Sequence, residues 1–341
     1  MSCRQGARGL METTSLFGDF RLRIDPWEVD YGDQTPLAPA DDQPDERVDH
    51  EVEVGDAAWQ AITPPSGSAP HQRVIFIDGV RRMEARIHAR QGEQLIYGGF
   101  GSFAVGAVEV ENSSASFSEV RVFRTVVLGS GERLPGRVHV RPNLVYESES
   151  TPLTEVDGPL RHVQKSMRLA EATLARDLCR EDTLTIVDGP LSFEPERRGV
   201  ALGYIKRVHE LYLPSKFMPL LATLPAGTRT PMFGIQTAKS GFARYSWFQR
   251  LAEPGPGATE MHGIVRLEVA ANVGVDTARE LANAATTWLP RTAPKRARDP
   301  RSPQNLLPIG ALEQKLRVAL GDSRLFRRWI EALVAKEASR G

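Results

Sequence analysis

The chain has 341 residues, is 41% apolar and 25% charged, and balances 43 basic against 43 acidic residues for a formal net charge of zero. Such a length can bury one elaborated core or two smaller ones, and the composition is that of a soluble globular protein. It excludes a polybasic protein, so any nucleic-acid surface must be local. No apolar run nears the roughly 18 residues of a membrane helix, and two distant cysteines, Cys3 and Cys179, exclude a disulfide framework and suit a reducing cytosol.

Residues 1–72 have little periodic pattern. No signal-peptide pattern is present, and Met11 offers an alternative start. Phe20, Leu22 and Ile24 predict a short strand within Phe17–Trp27, and Pro36–Arg47 reads as a solvated loop. Glu51–Trp59 and Pro64–Pro70 lead into the first core strand. From Arg73 the pattern sharpens: Val74–Ile77 is a short apolar run that predicts a strand covered on both faces. Arg82–His88, Phe103–Val110 and Val120–Leu128 predict an antiparallel meander beginning at Asp78, and Gly136–Val140 a further strand.

Over residues 151–181 the period becomes helical. Val163, Met167, Leu174 and Leu178 form one stripe, and Glu171 falls on it. Strands are expected at 184–187, Ala201–Arg207, Thr230–Gln236, Tyr245–Leu251 and Gly263–Val269, with helices at Phe217–Leu224 and Ala278–Leu289. Thr292–Pro303 reads as a basic, Pro-rich loop, and helices over about Ile309–Leu320 and Ser323–Lys336 close the chain. This succession predicts an α/β or mixed α+β core with a mixed sheet.

Two strands run into Asp-Gly, at Asp78-Gly79 and at Asp188-Gly189-Pro190. Gly frees a turn and Pro offers no N–H to a ladder, so each Asp is expected at the exposed end of a strand. Each alone also reads as a hairpin turn. Glu171, on the apolar face of a helix, must be paired or metal-bound. An ion pair with Lys165, Arg168 or Arg176 would serve, as would a carboxylate tip in solvent. Together, Asp78, Glu171 and Asp188 predict one site for Mg²⁺ or Mn²⁺, with two ions serving phosphodiester hydrolysis.

Lys206, alternating with apolar residues after Asp188, is expected either to bind the scissile phosphate or to guard a sheet edge. Arg244-Tyr245-Ser246-Trp247-Phe248-Gln249-Arg250 reads as a strand-gripping surface or as a strand with a buried aromatic face. Lys295–Arg301 could touch phosphates or be merely solvated. The histidines, among them His88, His139, His162, His209 and His262, lack ligand spacing for zinc, and no phosphate loop or nucleophile elbow is present.

In order and spacing, Ile77-Asp78-Gly79, Met167-Arg168-x-x-Glu171, Val187-Asp188-Gly189-Pro190-Leu191, Gly203-Tyr204-Ile205-Lys206 and Leu307-Pro308-Ile309-x-x-Leu312-Glu313 resemble the NurA nucleases. The resemblance spans about residues 74–320. It implies an RNase H-like nuclease domain at 73–320, with an N-terminal extension over 1–72 and a C-terminal helix over 321–341. It further implies a homodimeric, Mn²⁺- or Mg²⁺-dependent deoxyribonuclease that works with a hexameric HerA-type translocase on DNA ends in recombinational repair, in the nucleoid-associated cytoplasm. Carried over by position, the metal ligands are Asp78, Glu171 and Asp188. Beside them Lys206 and Glu313 are candidate catalytic residues, and Arg81, Arg82, Arg244 and Arg250 candidate DNA contacts. One departure stands out. Archaeal-type members end in a Tyr-Pro-x-Pro-Leu-x-x-Ala-His pattern, whereas here Glu313 stands where the His would be. Glu313 is then either a fourth carboxylate ligand or a helix-surface residue pairing with Arg317 at i+4. The alternative to a nuclease is a DNA- and motor-binding clamp that cuts little by itself.

Overall fold

The structure, a computed structural model, describes residues 15–26, 46–67, 73–111, 114–181, 183–191, 199–208, 210–238, 241–295 and 301–340. Met11, Cys3, His209, Arg296, Arg298 and residues 36–45 of the expected loop lie outside the described residues. The strands are β1 (Arg21–Ile24), β2 (Glu46–Asp49), β3 (Arg73–Gln91), β4 (Gln94–Glu111), β5 (Ser114–Leu128), β6 (Val138–Arg141), β7 (Leu144–Ser150), β8 (Thr183–Asp188), β9 (Val200–Ile205), β10 (Phe233–Thr237), β11 (Ala243–Arg250) and β12 (Ile264–Ala270). The helices are α1 (Gly158–Leu178), α2 (Met218–Thr223), α3 (Val275–Trp288), α4 (Leu307–Leu320) and α5 (Ser323–Ala338).

All twelve strands join one mixed sheet, ordered β2-β10-β11-β12-β9-β8-β3-β4-β5-β7-β6, with β1 also on β3. Its centre is a β3-β4-β5 antiparallel meander flanked by β8 and β9, which run parallel to β3. With α1 as the crossover into β8, this is the mixed α/β sheet that the succession of elements predicts. Of the described residues before β3, β1 and β2 are strands of the same sheet.

Alternation along β3 assigns the layers. Val74 and Phe76 pack under α3 and α4 with Leu281, Leu312 and Leu316. Ile75, Ile77 and Met83 pack under α1 with Val163 and Met167. A bulge between Met83 and Ala85 then reverses the phase, so that Ala85 and Ile87 face Ile330 and Val334 of α5.

One expectation is overturned here. Asp78-Gly79 makes no turn, because β3 runs unbroken through it for 19 residues, with Asp78 opposite Gly106 and Gly79 opposite Val105. The hydrophobic pattern breaks at Arg81 and Arg82, which stay in regular register, and that break imitates a turn in the sequence.

Candidate metal centre

The parallel pairing of β3 with β8 ends at Ile77–Val187. Asp78 and Asp188 are the next residue on each strand, so they stand together where β8 stops and β3 continues. Asp78 faces α4: a Cβ on its cross-strand partner Gly106 would lie 2.9 Å from Leu316 and 3.2 Å from Leu312. The bare glycine lets α4 approach, and α4 brings Glu313. Ligand oxygens of Asp78, Asp188 and Glu313 all lie within 4.8 Å of one another, a spacing that a divalent cation can bridge.

Basic groups surround this set. Lys206, one residue beyond β9, places Nζ 2.7 Å from Asp188 Oδ2 and 3.4 Å from Glu313 Oε1, and donates to Asn305 Oδ1 at 2.8 Å. Arg301 Nη2 lies 2.9 Å from Glu313 Oε2. Tyr204 OH donates to the Gln304 carbonyl at 2.6 Å and so ties the segment before α4 to the sheet. Glu313 is therefore buried and doubly paired, not a surface residue bonded to Arg317. Burial and the neighbouring Asp188 hold the Asp78 carboxyl well above its ordinary range, against the opposing pull of Lys206. Asp78 Oδ1 accepts from the Gly79 N–H at 2.8 Å, while Oδ2 is buried without a partner. A buried carboxylate oxygen left open, amid hard oxygen donors of like charge, fits a divalent cation.

Of the expected trio, Asp78 and Asp188 stand together with Glu313, while Glu171 approaches the same end of β8 from α1. Helix α1 packs on the opposite face, so Glu171 meets the sheet from the other layer. A Cβ on Gly79 would overlap Glu171 Oε1, which is how close the carboxylate comes to the β3 backbone beside Asp78. Its Oε1 is buried and unpartnered, and Oε2 accepts from Arg168 Nη1 at 3.0 Å. The same Nη1 donates to the Asp188 carbonyl at 2.6 Å, fastening α1 to the end of β8. Burial pushes Glu171 up to about 7, with Arg168 opposing and Asp188 adding to the shift.

The expected DNA-contacting arginines are mostly committed elsewhere. Arg250 is 1% exposed, and its guanidinium donates to the carbonyls of Leu221, Ala222, Leu224, Glu260 and His262. Arg244 is buried between Glu46 (2.6 Å) and Glu268 (3.2 Å). Arg82 holds Glu84 and donates to the Leu320 and Gly321 carbonyls at the end of α4. Arg81 donates to Gln164 of α1. Trp247 and Phe248 are core residues. Arg250, enclosed by five carbonyls, and Arg244, held between two buried carboxylates, thus help to hold the fold together.

Sequence reasoning missed Asn305 and Glu268 as site residues. Glu268 Oε1 accepts from the Leu191 N–H at 2.6 Å and so fixes the turn after Asp188, while Arg266 and Arg244 neutralise it. Gly203 makes room, since a Cβ there would lie 2.8 Å from Leu191 N and 2.9 Å from Glu268 Cγ. The available signal was Arg266-Leu267-Glu268, two charges on one face of an otherwise apolar strand. No described helix is long and apolar enough to cross a membrane.

No family model and no curated protein matches the sequence. Among solved structures the chain is similar to the NurA nuclease from Sulfolobus solfataricus, with a TM-score of 0.44 and 12% identity over 83% of this chain and 88% of that one. It is also similar to Endonuclease V from Bacillus subtilis, with a TM-score of 0.31 and 9% identity over 75% of this chain and 85% of that one.

Proposed function

We propose that the protein is a divalent-metal-dependent phosphodiesterase that cuts DNA. The observation that carries this is the grouping of Asp78, Asp188 and Glu313 around a buried, unpartnered Asp78 oxygen. Three carboxylates suit Mn²⁺ or Mg²⁺, singly or as a pair. Such ions activate water and stabilise the leaving oxygen of a phosphodiester. Asp78 and Asp188 hold the cation from two strand positions, and Glu313 closes the set from α4. Lys206 is within reach of a phosphate held there. Arg168 orients Glu171, whose open Oε1 can accept from an attacking water on the α1 side. The ordered motifs from Asp78-Gly79 to Lys206 support the finer parts of the reading: a cytoplasmic homodimer that works with a HerA-type hexameric translocase on DNA ends in double-strand-break repair.

The test uses purified protein and labelled single- and double-stranded DNA with Mn²⁺ or Mg²⁺. Cleavage is expected from the wild type and none from Asp78→Asn or Asp188→Asn. A cation that binds only the folded state raises its melting temperature, so the Mn²⁺-induced rise should vanish in those variants and in Glu313→Gln. It should largely survive in Glu171→Gln, which loses cleavage rate instead. Full activity in both Asp variants would refute the assignment.

A second reading has its own support. The Lys206 ammonium already lies against two of the three carboxylates, as a built-in counter-ion would. That favours a DNA- and motor-binding clamp with little cleavage of its own. Tight DNA complexes without cleavage, with and without the translocase, would select it.

A further inference from the structure

The far half of the β3–β4 hairpin carries a charged face that the carboxylate centre does not use. There β1 pairs with β3 so that Arg21 stands opposite Arg90 and Arg23 opposite His88. The intervening residues Leu22, Ala89 and Ile87 belong to the core under α5, so the arginines and His88 occupy the other face of the sheet. Arg86 shares that face by alternation. Tyr97 joins it opposite His88, the two rings meeting edge-on with centroids 5.4 Å apart. Arg21, Arg23 and Arg90 are exposed and Arg86 is half-buried. None of these four arginines makes an ion pair with a described residue, in contrast to Arg82 and Arg244, which hold carboxylates, and Arg250, which holds carbonyls.

Like charges directly opposite each other destabilise an antiparallel pair. Arg21 against Arg90, with no acid between them, is thus a cost to the folded chain that a bound polyanion would remove. The patch runs about 13 Å from Arg86 to Arg90 at roughly 3.3 Å per residue, long enough for several phosphates of a nucleic-acid strand. Guanidiniums chelate phosphate oxygens in a bidentate fashion, and the Tyr97 ring offers a stacking surface.

We infer that this face binds the sugar–phosphate backbone of a nucleic acid at a distance from the carboxylates. Asp78 and Arg86 are eight residues apart on one strand, about 26 Å. The patch lies on the α1 side of the sheet, the side from which Glu171 and Arg168 approach the end of β8. That the polyanion is a nucleic acid rests on the phosphodiesterase reading; the need for an anion comes from the charges alone.

The experiment measures DNA binding by the full chain in EDTA, as a function of salt. The quadruple variant Arg21→Gln, Arg23→Gln, Arg86→Gln and Arg90→Gln should bind at least tenfold more weakly at low salt. Its log–log salt slope should flatten by about 3, near one per lost phosphate contact. Its melting temperature should hold or rise, since the opposed charges are gone, whereas residues with a purely structural role would lower it. Should the quadruple variant fail to fold, Arg86→Gln with Arg90→Gln should show a proportionate loss. If the wild type cuts nothing but the arginine variant still loses binding, the phosphodiesterase reading falls and this surface stands. Unchanged affinity and slope, or binding to phosphatidylserine vesicles in place of DNA, would overturn the inference.

Discussion

Lys206 Nζ lies 2.7 Å from Asp188 Oδ2 and 3.4 Å from Glu313 Oε1, so it competes with a divalent ion for the same oxygens. Burial would lower the Lys206 pKa, but Asp188 and Asp78 outweigh it and hold the ammonium charged above its ordinary range. Removing that charge should have opposite effects on the two states. In Lys206→Met the metal-free protein keeps three clustered carboxylates without their counter-ion and should lose about 1–3 kcal/mol of stability, the cost of stranding buried polar groups. The same change removes the competitor, so the Mn²⁺-induced rise in melting temperature should exceed that of the wild type. Thermal unfolding with and without Mn²⁺ checks both signs. A variant that is as stable as the wild type without metal and responds no more strongly to Mn²⁺ would show that Lys206 does not occupy the cation's place.

Several elements were legible because their periods are clean: the α1 stripe and the two closing helices form near their expected bounds, and the 74–77 run opens β3, which continues far beyond it. The Asp188 end of β8 was legible too, since Gly189 and Pro190 do stop that strand. What could not be read was which layer each acid faces. That depends on β3 running straight through Asp78-Gly79, and on α1 and α4 taking opposite faces, neither of which leaves a local mark. At Gly79 α1 lies tight against the sheet, since a Cβ there would overlap Glu171 Oε1 and lie 2.9 Å from Met167 Cγ. Gly79→Ala should therefore push α1 away from the sheet and cost about 1–3 kcal/mol, the usual range for an overpacked core. Cleavage should fall with it, because Glu171 and Arg168 move with α1. Denaturant unfolding gives the first quantity, and a stability equal to wild type would mean that α1 does not press on β3 at this point.

Across the whole molecule the sheet is closed at one end by long-range ion pairs that no sequence window contains. Glu53, in the segment before β3, accepts from Arg229 Nη1 and Nη2 at 2.8 and 2.7 Å and from the Met232 N–H at 2.7 Å, and Arg279 of α3 lies 3.4 Å away. Both side chains of the Glu53–Arg229 pair are almost fully buried, at 4% and 1%. Burial alone would raise the Glu53 pKa, but Arg229 and the Met232 N–H more than offset it and hold the carboxyl below its ordinary value of 4.5. A carboxyl with a depressed folded-state pKa contributes stability above its unfolded pKa and loses it as pH falls through the folded value. Glu53→Gln leaves Arg229 buried without its charge partner and should cost about 3–5 kcal/mol at neutral pH. In acid the wild type loses the same interaction by protonation, so its stability should fall toward that of the variant as pH drops below 4.5. Urea unfolding of the two proteins across that range measures the gap directly. A gap that stays constant into acid would mean that the N-terminal segment is held by packing around Trp59 and Phe217, whose rings stack at 4.1 Å, and not by this ion pair.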